Sequence, residues 1–341
     1  MFTYLTYLSM RKTTVGLGII VIIAIGVLGI YRQQIQPESK IPQTPLRIGL
    51  NPWIGNGLYA VAEEKGFFIK EGIRVELVNY DDGATGKQLL STKHVDALSL
   101  TPETVIILAD AGTSVRAVAM TDTSLGADGI IATKNIQNVR DLRGKKVAFE
   151  VGSPSHLFLS YLLDQQGMTT NDLMVIDSAA PDAGVAFVSG QVDAAVTWEP
   201  WLSKANERSG GHLIANSKDT PILPALLVFR DETIQTRQGD IQALLRALFA
   251  AQVYTQEHQA ETVSIVAKHF NINNQDVLDQ LPTFRWLSYT DNERDFATGT
   301  YSATSLIARS GDLWLKLGLI KKPINASTLV DPSLLNDLYK K

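Results

Sequence analysis

Residues 193–201 read Asp-Ala-Ala-Val-Thr-Trp-Glu-Pro-Trp. The apolar start predicts a strand that Pro200 stops, and two indoles, Trp198 and Trp201, flank the carboxylate of Glu199. A strand edge ending this way suits a pocket mouth, where flat apolar faces and one charge meet a small polar ligand. A capped core strand with two buried indoles is the alternative. A second segment, 152–156, reads Gly-Ser-Pro-Ser-His and sets Ser153 and Ser155 between a predicted strand and helix, with Pro154 at an early helical position. Free backbone N–H groups and two hydroxyls there make an anion site of the kind helix N-termini offer to sulfate, phosphate or carboxylate, or else ordinary caps. His156 either faces the cleft or is a satisfied core histidine.

Other candidates follow predicted strands. The loop 51–57, rich in Pro and Gly, carries Trp53 and Asn56 and reads as a ligand wall or as a hydrophobic plug. Thr101 and Glu103 come after the third strand, at the start of the next helix. Asp82, Asp128, Asp182 and Glu199 fall near strand ends, where a lone acid is commonly a cap or a turn residue. Converging with Trp53 and Trp198, they would suit a cationic group through ion pairing and cation–π contact, and would repel a lone oxyanion. No arginine falls at a predicted pocket edge, though Lys87 lies near one. Trp286 and Trp314 sit in predicted helices among apolar neighbours and are expected in the core.

The elements that must hold these residues follow from length and pattern. A chain of 341 residues exceeds one typical core, so two lobes are expected. Hydrophobic content of 45% and charged content of 19% fit a globular protein. A net charge of −4 without a basic stripe argues against nucleic acid as a partner. With no cysteine, disulfides, zinc–thiolate sites, thiol catalysis and a lipobox-type anchor are excluded. Five scattered histidines, none paired at ligand spacing, argue against a protein-built metal centre. Arg11 and Lys12 precede an uncharged run at 15–31 that ends at Arg32. Its ~17 residues meet the short limit for a membrane helix, and no small-x-small site follows closely, so an uncleaved anchor is expected over a cleaved signal. The flanking charges keep its start in the cytoplasm. Residues 1–32 are thus the anchor or signal helix, and 33–45, with Pro37, Pro42 and Pro45, a linker.

Strands are predicted at 46–50, 75–79, 96–100, 115–120 and 129–132, with helices at 58–65, 102–111 and from 81–85 to 92. A second set follows: a short helix at 139–142, strands at 146–149, 174–177 and 193–197, and helices at 155–166 and 182–189. A return strand at 226–229 precedes a helical tail at 241–255, 260–269, 275–281 and 296–316. This alternation predicts parallel-rich α/β sheets, with ligands at the carboxyl ends of strands in the crevice between units.

With the segments in this order, the chain resembles the substrate-binding proteins of ABC importers, in particular the nitrate/sulfonate/taurine (NMT1-type) family of the type II periplasmic-binding fold. The resemblance rests on Arg47-Ile-Gly, Lys65-Gly-Phe-Phe, Val95-Asp-Ala before Thr101-Pro, Asp141-Leu-Arg-Gly-Lys-Lys-Val-Ala, the 152–156 segment, and Gly190-Gln-Val-Asp-Ala-Ala running into Trp198-Glu-Pro. It covers about 46–229 well and the tail loosely. Pro154 and the Gly-Ala-Asp-Gly of 126–129 depart from sulfonate-type patterns, so ligand identity does not carry over. The resemblance implies two α/β lobes, 46–132 plus 227–341 and 133–226, closing over a small nitrogen- or sulfur-containing solute. Sulfonate, taurine and nitrate are the implied ligands, with an amino or guanidino compound open. It further implies hinges near 131–133 and 225–229, permease and ATPase partners, a monomer outside the cytoplasm, and no cofactor. An enzyme on this scaffold, like a pyrimidine-precursor synthase or a dehydratase, and a ligand-sensing clamp are the competing readings.

Overall fold

The computed structural model describes residues 44–207, 210–336, 338 and 339. The expected helix at 1–32 and nearly all of the linker lie outside them. Among the described residues no helix is long and apolar enough to cross a membrane.

The first sheet begins with β1 (Leu46–Leu50), β2 (Val75–Asn79) and β3 (Ala97–Leu100), all parallel, with β1 between the other two. Helices α1 (Gly57–Glu64), α2 (Phe67–Lys70), α3 (Gly83–Ser91) and α4 (Pro102–Asp110) make the crossovers. The expected helix over 58–65 stops as predicted, because Gly66 takes a left-handed φ of 69°. β4 (Val115–Ser124) then lies beyond the parallel trio. The strand inserted between β3 and β4 comes from far down the chain.

That long excursion builds the second sheet. β5 (Asp128–Thr133), β6 (Lys146–Phe149), β7 (Met174–Asp177), β8 (Ala194–Trp198) and β9 (Gly211–Asn216) align in the order β7-β6-β8-β5-β9. Here β6, β7 and β8 form the parallel trio, with α5 (Pro154–Asp164) and α6 (Ala180–Val188) between them, and α7 (Trp201–Asn206) leads to β9. β10 (Pro224–Arg230) returns to the first sheet, antiparallel to both β3 and β4. All seven of its residues are buried, which explains its unbroken apolar sequence. Each sheet is therefore mixed: a parallel trio with an antiparallel strand inserted by the crossing chain.

The crossings fall between β4 and β5, at 125–127, and between β9 and β10, at 217–223. The boundary expected at 132/133 is at the far end of β5, and that at 226/227 lies inside β10. β5 pairs with β8 and β9 throughout, so its residues belong to the second sheet. Pairing is a tertiary choice that strand pattern does not carry.

The tail is α8 (Asp231–Thr236), α9 (Gln238–Glu257), α10 (Gln259–Phe270), α11 (Asn274–Gln280), strand β11 (Phe284–Trp286), α12 (Tyr289–Asp295), α13 (Ala303–Lys316) and α14 (Ser333–Asn336). The single helix expected over 296–316 does not form at its start. Gly299 adopts a φ of 115°, and Ser302 caps α13 through a hydrogen bond from the Ser305 amide. Trp314 is fully buried, as expected; Trp286 is instead a half-buried strand residue whose Nε1 donates to the Gly55 carbonyl at 2.7 Å.

Candidate functional site

The carboxyl ends of both parallel trios open onto one cavity of about 140 Å3. The first sheet contributes the chain just after β1, β2 and β3, and the second sheet the turns after β6 and β7 and the end of β8. This is the crevice where ligands bind in open α/β sheets.

Two indoles form its aromatic wall. Trp53, after β1, meets Trp198, at the end of β8, edge to face with centroids 6.2 Å apart and planes at 81°. Trp53 Nε1 donates to Asp122 Oδ1 at 2.9 Å, fixing the indole against β4. Gly55 makes that approach possible, since a Cβ there would sit 2.3 Å from Trp53 Nε1 and 2.7 Å from Asp122 Cγ.

The charge lining the cavity is mostly negative. Asp122 is 1% exposed, and burial pushes its carboxyl up to about 6 against the hydrogen bonds from Trp53 and Thr121. Asp128, at the start of β5, is 5% exposed. Burial raises its carboxyl to about 7; the Ser124 hydroxyl opposes the shift, and the charges of Glu103, Asp122 and Glu199 add to it. Glu150, after β6, is also raised, first by burial, with Lys87 pulling it back. Lys87 is the one basic side chain lining the cavity among the described residues.

Six sequence-predicted residues line the cavity: Trp53, Asp82, Thr101, Asp128, Ser153 and Trp198. Asp82 is an exposed rim residue that caps α3, accepting from the amide and hydroxyl of Thr85 at 2.9 and 2.7 Å. These bonds hold its carboxyl below the usual range. The Ser153 hydroxyl is engaged within its own loop, donating to the Glu150 carbonyl at 2.7 Å and accepting from the His156 amide at 3.4 Å. It is therefore a cap first, as the plainer expectation had it.

The other six stand outside the lining. Asn56 is buried behind the wall and donates to the backbone and side-chain oxygens of Asn51 at 3.0 and 2.8 Å. Glu103 is fully buried; its Oε1 accepts from the hydroxyls of Thr101 and Thr104, and its Oε2 has no partner among the described residues. Ser155 is buried one residue past the helix start. His156 is a core histidine, its ring between Phe149 and Trp314 at 5.1 and 4.9 Å and its Nδ1 accepting from the Gly152 amide at 3.1 Å. Burial lowers its pKa to about 4, so it is neutral. Asp182 is exposed on the first turn of α6. Glu199 accepts from the amide and hydroxyl of Ser203 at 3.1 and 2.7 Å and so fastens the start of α7. Trp201 is half-buried outside the cavity lining, with the Lys204 ammonium 4.7 Å from its ring.

Asp122, Tyr80, Ser99 and Glu150 line the cavity and escaped the sequence reading. The polar run 121–124, Thr-Asp-Thr-Ser, resembles a loop, yet β4 continues through it because β10 and β11 pair along both of its edges.

The chain is 24% identical over 287 residues to a binding protein of Brucella abortus, covering 82% of this chain and 88% of that one. It is 30% identical over 227 residues to an aliphatic sulfonates-binding protein of Bacillus subtilis, covering 64% and 68%. The crystal structure of the periplasmic aliphatic sulphonate-binding protein SsuA from Escherichia coli superposes with a TM-score of 0.70 at 21% identity, over 85% of this chain and 92% of that one. That likeness establishes the α/β periplasmic binding protein fold. Residues 39–271, which carry every strand except β11 and the whole lining of the cavity, match the NMT1-like family, and the chain belongs to that family.

Proposed function

We propose that this protein is the solute-capturing component of an ABC importer, working outside the cytoplasm and tethered or exported by its apolar N-terminal run. The observation that carries this reading is the cavity itself, framed by the carboxyl ends of two separate parallel trios. Each trio belongs to its own lobe, and the chain crosses between lobes at 125–127 and 217–223. Rotation about these crossings opens the crevice; closure brings Trp53 and Trp198 together over a small polar solute and excludes water. The closed form presents the solute to a permease, whose ATPase subunits supply the work. A small nitrogen- or sulfur-containing solute is the ligand class of this reading, its sulfur-containing side supported by the aliphatic sulfonates-binding relative.

A thermal-shift screen of the full chain against sulfonates, taurine, nitrate, amines, guanidines and pyrimidines tests this. A ligand at about 100 times its Kd raises stability by about 2.7 kcal/mol. The bound solute is expected to be recovered chemically unchanged. Recovery of a converted product would replace capture by catalysis, and the absence of any shift would remove the reading.

A further inference from the structure

We infer that the solute held in this cavity is an organic cation, a protonated amine or amidine without an acidic group, with Asp122 and Asp128 as its counter-charges. This rests on the solute-capture reading and names the ligand class of the same site.

Five carboxylates line the cavity, on Asp81, Asp82, Asp122, Asp128 and Glu150, against the single ammonium of Lys87 among the described residues. Lys87 is already opposed by acids, since its charge favours the ionised forms of Glu150 and Asp82. Asp122 and Asp128 are the deep pair, each more than nine-tenths buried, and neither has an ion-pair partner among the described residues. Their hydrogen bonds come from an indole and hydroxyls, which are neutral donors. Buried carboxylates are ordinarily matched by a cation, so this pair is left with an unmet requirement at a cavity wall.

A separate observation points the same way. Ser99, at the end of β3, lines the cavity and is 6% exposed, yet its hydroxyl has no hydrogen-bond partner among the described residues. It is an unused polar group facing the same space and can accept from an N–H donor. The rings of Trp53, Trp198 and Tyr80 complete the wall, and aromatic faces beside carboxylates are the setting that holds alkylammonium and amidinium groups.

A metal ion fits less well, because no group of three or more acids or histidines among the described residues is gathered at metal-holding distance. An anion fits poorly too. The start of α5 offers at most about half a positive charge. The start of α4 is already occupied by Glu103, which accepts from Thr101 and Thr104.

The experiment is a calorimetric titration of the full chain with shape-matched probes of opposite charge. Benzylammonium and benzamidinium are set against benzenesulfonate, and propylammonium against propanesulfonate, with nitrate and taurine added. Cations are expected to bind, at least tenfold more weakly to Asp128→Asn or Asp122→Asn. Wild-type cation affinity is expected to fall by up to tenfold per pH unit from pH 7 to 5, as the carboxyls take up protons. That titration needs no variant to fold. Binding of the sulfonates, nitrate or taurine in place of the cations overturns the charge assignment and leaves solute capture standing. Cation binding indifferent to both substitutions and to pH also overturns it. No binding by either set overturns capture and charge together.

Discussion

Asp128 illustrates how a site can hold stability in reserve. Its carboxyl titrates near 7 in the folded chain against an ordinary 3.8, because burial and three neighbouring acids disfavour the charge. The folded state therefore keeps a proton that the unfolded state has released, and stability falls as pH rises from about 4 to 7. His156 acts oppositely: its folded pKa near 4 makes stability fall as pH drops below about 6.5. The two slopes overlap, so a single profile would blur them. Asp128→Asn removes only the first. Without ligand at pH 8, this variant is expected to be more stable than wild type by roughly 2–4 kcal/mol, with the gap closing by pH 4. Urea melts of both proteins across that range measure it; equal stability at pH 8 would mean that Asp128 ionises without cost. Gly55 makes the complementary case for shape. A methyl there meets both Trp53 and Asp122, so Gly55→Ala is expected to cost about 1–3 kcal/mol and to weaken solute binding by displacing the indole. An unchanged melting temperature would show that the wall gives way freely.

At the level of elements, most of what positions the site was legible because it is local. The three strands of each parallel trio follow from short apolar runs ended by turn residues, and α4 and α5 from a hydroxyl residue followed by proline, Thr101-Pro102 and Ser153-Pro154. Those two helix starts face the cavity from opposite sheets. The illegible parts depend on partners distant in sequence. β9, whose residues are mostly half-buried, and the three-residue β11 take their pairing from β5 and β4. Asp122 was hidden for the same reason, inside a polar segment that only β10 and β11 make into strand. The crossings likewise depend on a residue without a local signature. Ser217 Oγ meets Ser124 Oγ at 2.6 Å and accepts from the Gly126 amide at 2.8 Å and the Asp128 amide at 3.3 Å, which ties the outgoing crossing to the returning one. Ser217 is fully buried, so Ser217→Ala leaves these donors unpaired and is expected to cost about 1–3 kcal/mol. A denaturation midpoint that does not move would show that the crossings hold without it.

Among the described residues the core of the first sheet continues through α5 into one face of the second sheet, so the proposed clamp would turn on a packed seam as well as on the two crossings. Away from the crossings, His156 of α5 packs on Trp314 of α13, and Lys316 pairs with Asp164 at the surface. The exposed ion pair adds only about 0–1 kcal/mol. At the mouth, Trp53 meets Trp198, a contact that opening of the proposed clamp would break. In the proposed clamp a solute would shift the balance between open and closed forms by its difference in affinity for the two. Trp53 and Trp198 report on it. Trp314 is fully buried against His156, whereas the mouth indoles are half-buried and would exchange solvent for each other on closure. A saturating ligand is expected to reduce acrylamide quenching of the tryptophan emission, and Trp198→Phe to remove most of that reduction. Quenching that stays constant while calorimetry shows the ligand bound would describe a rigid cavity, and capture would then proceed without closure.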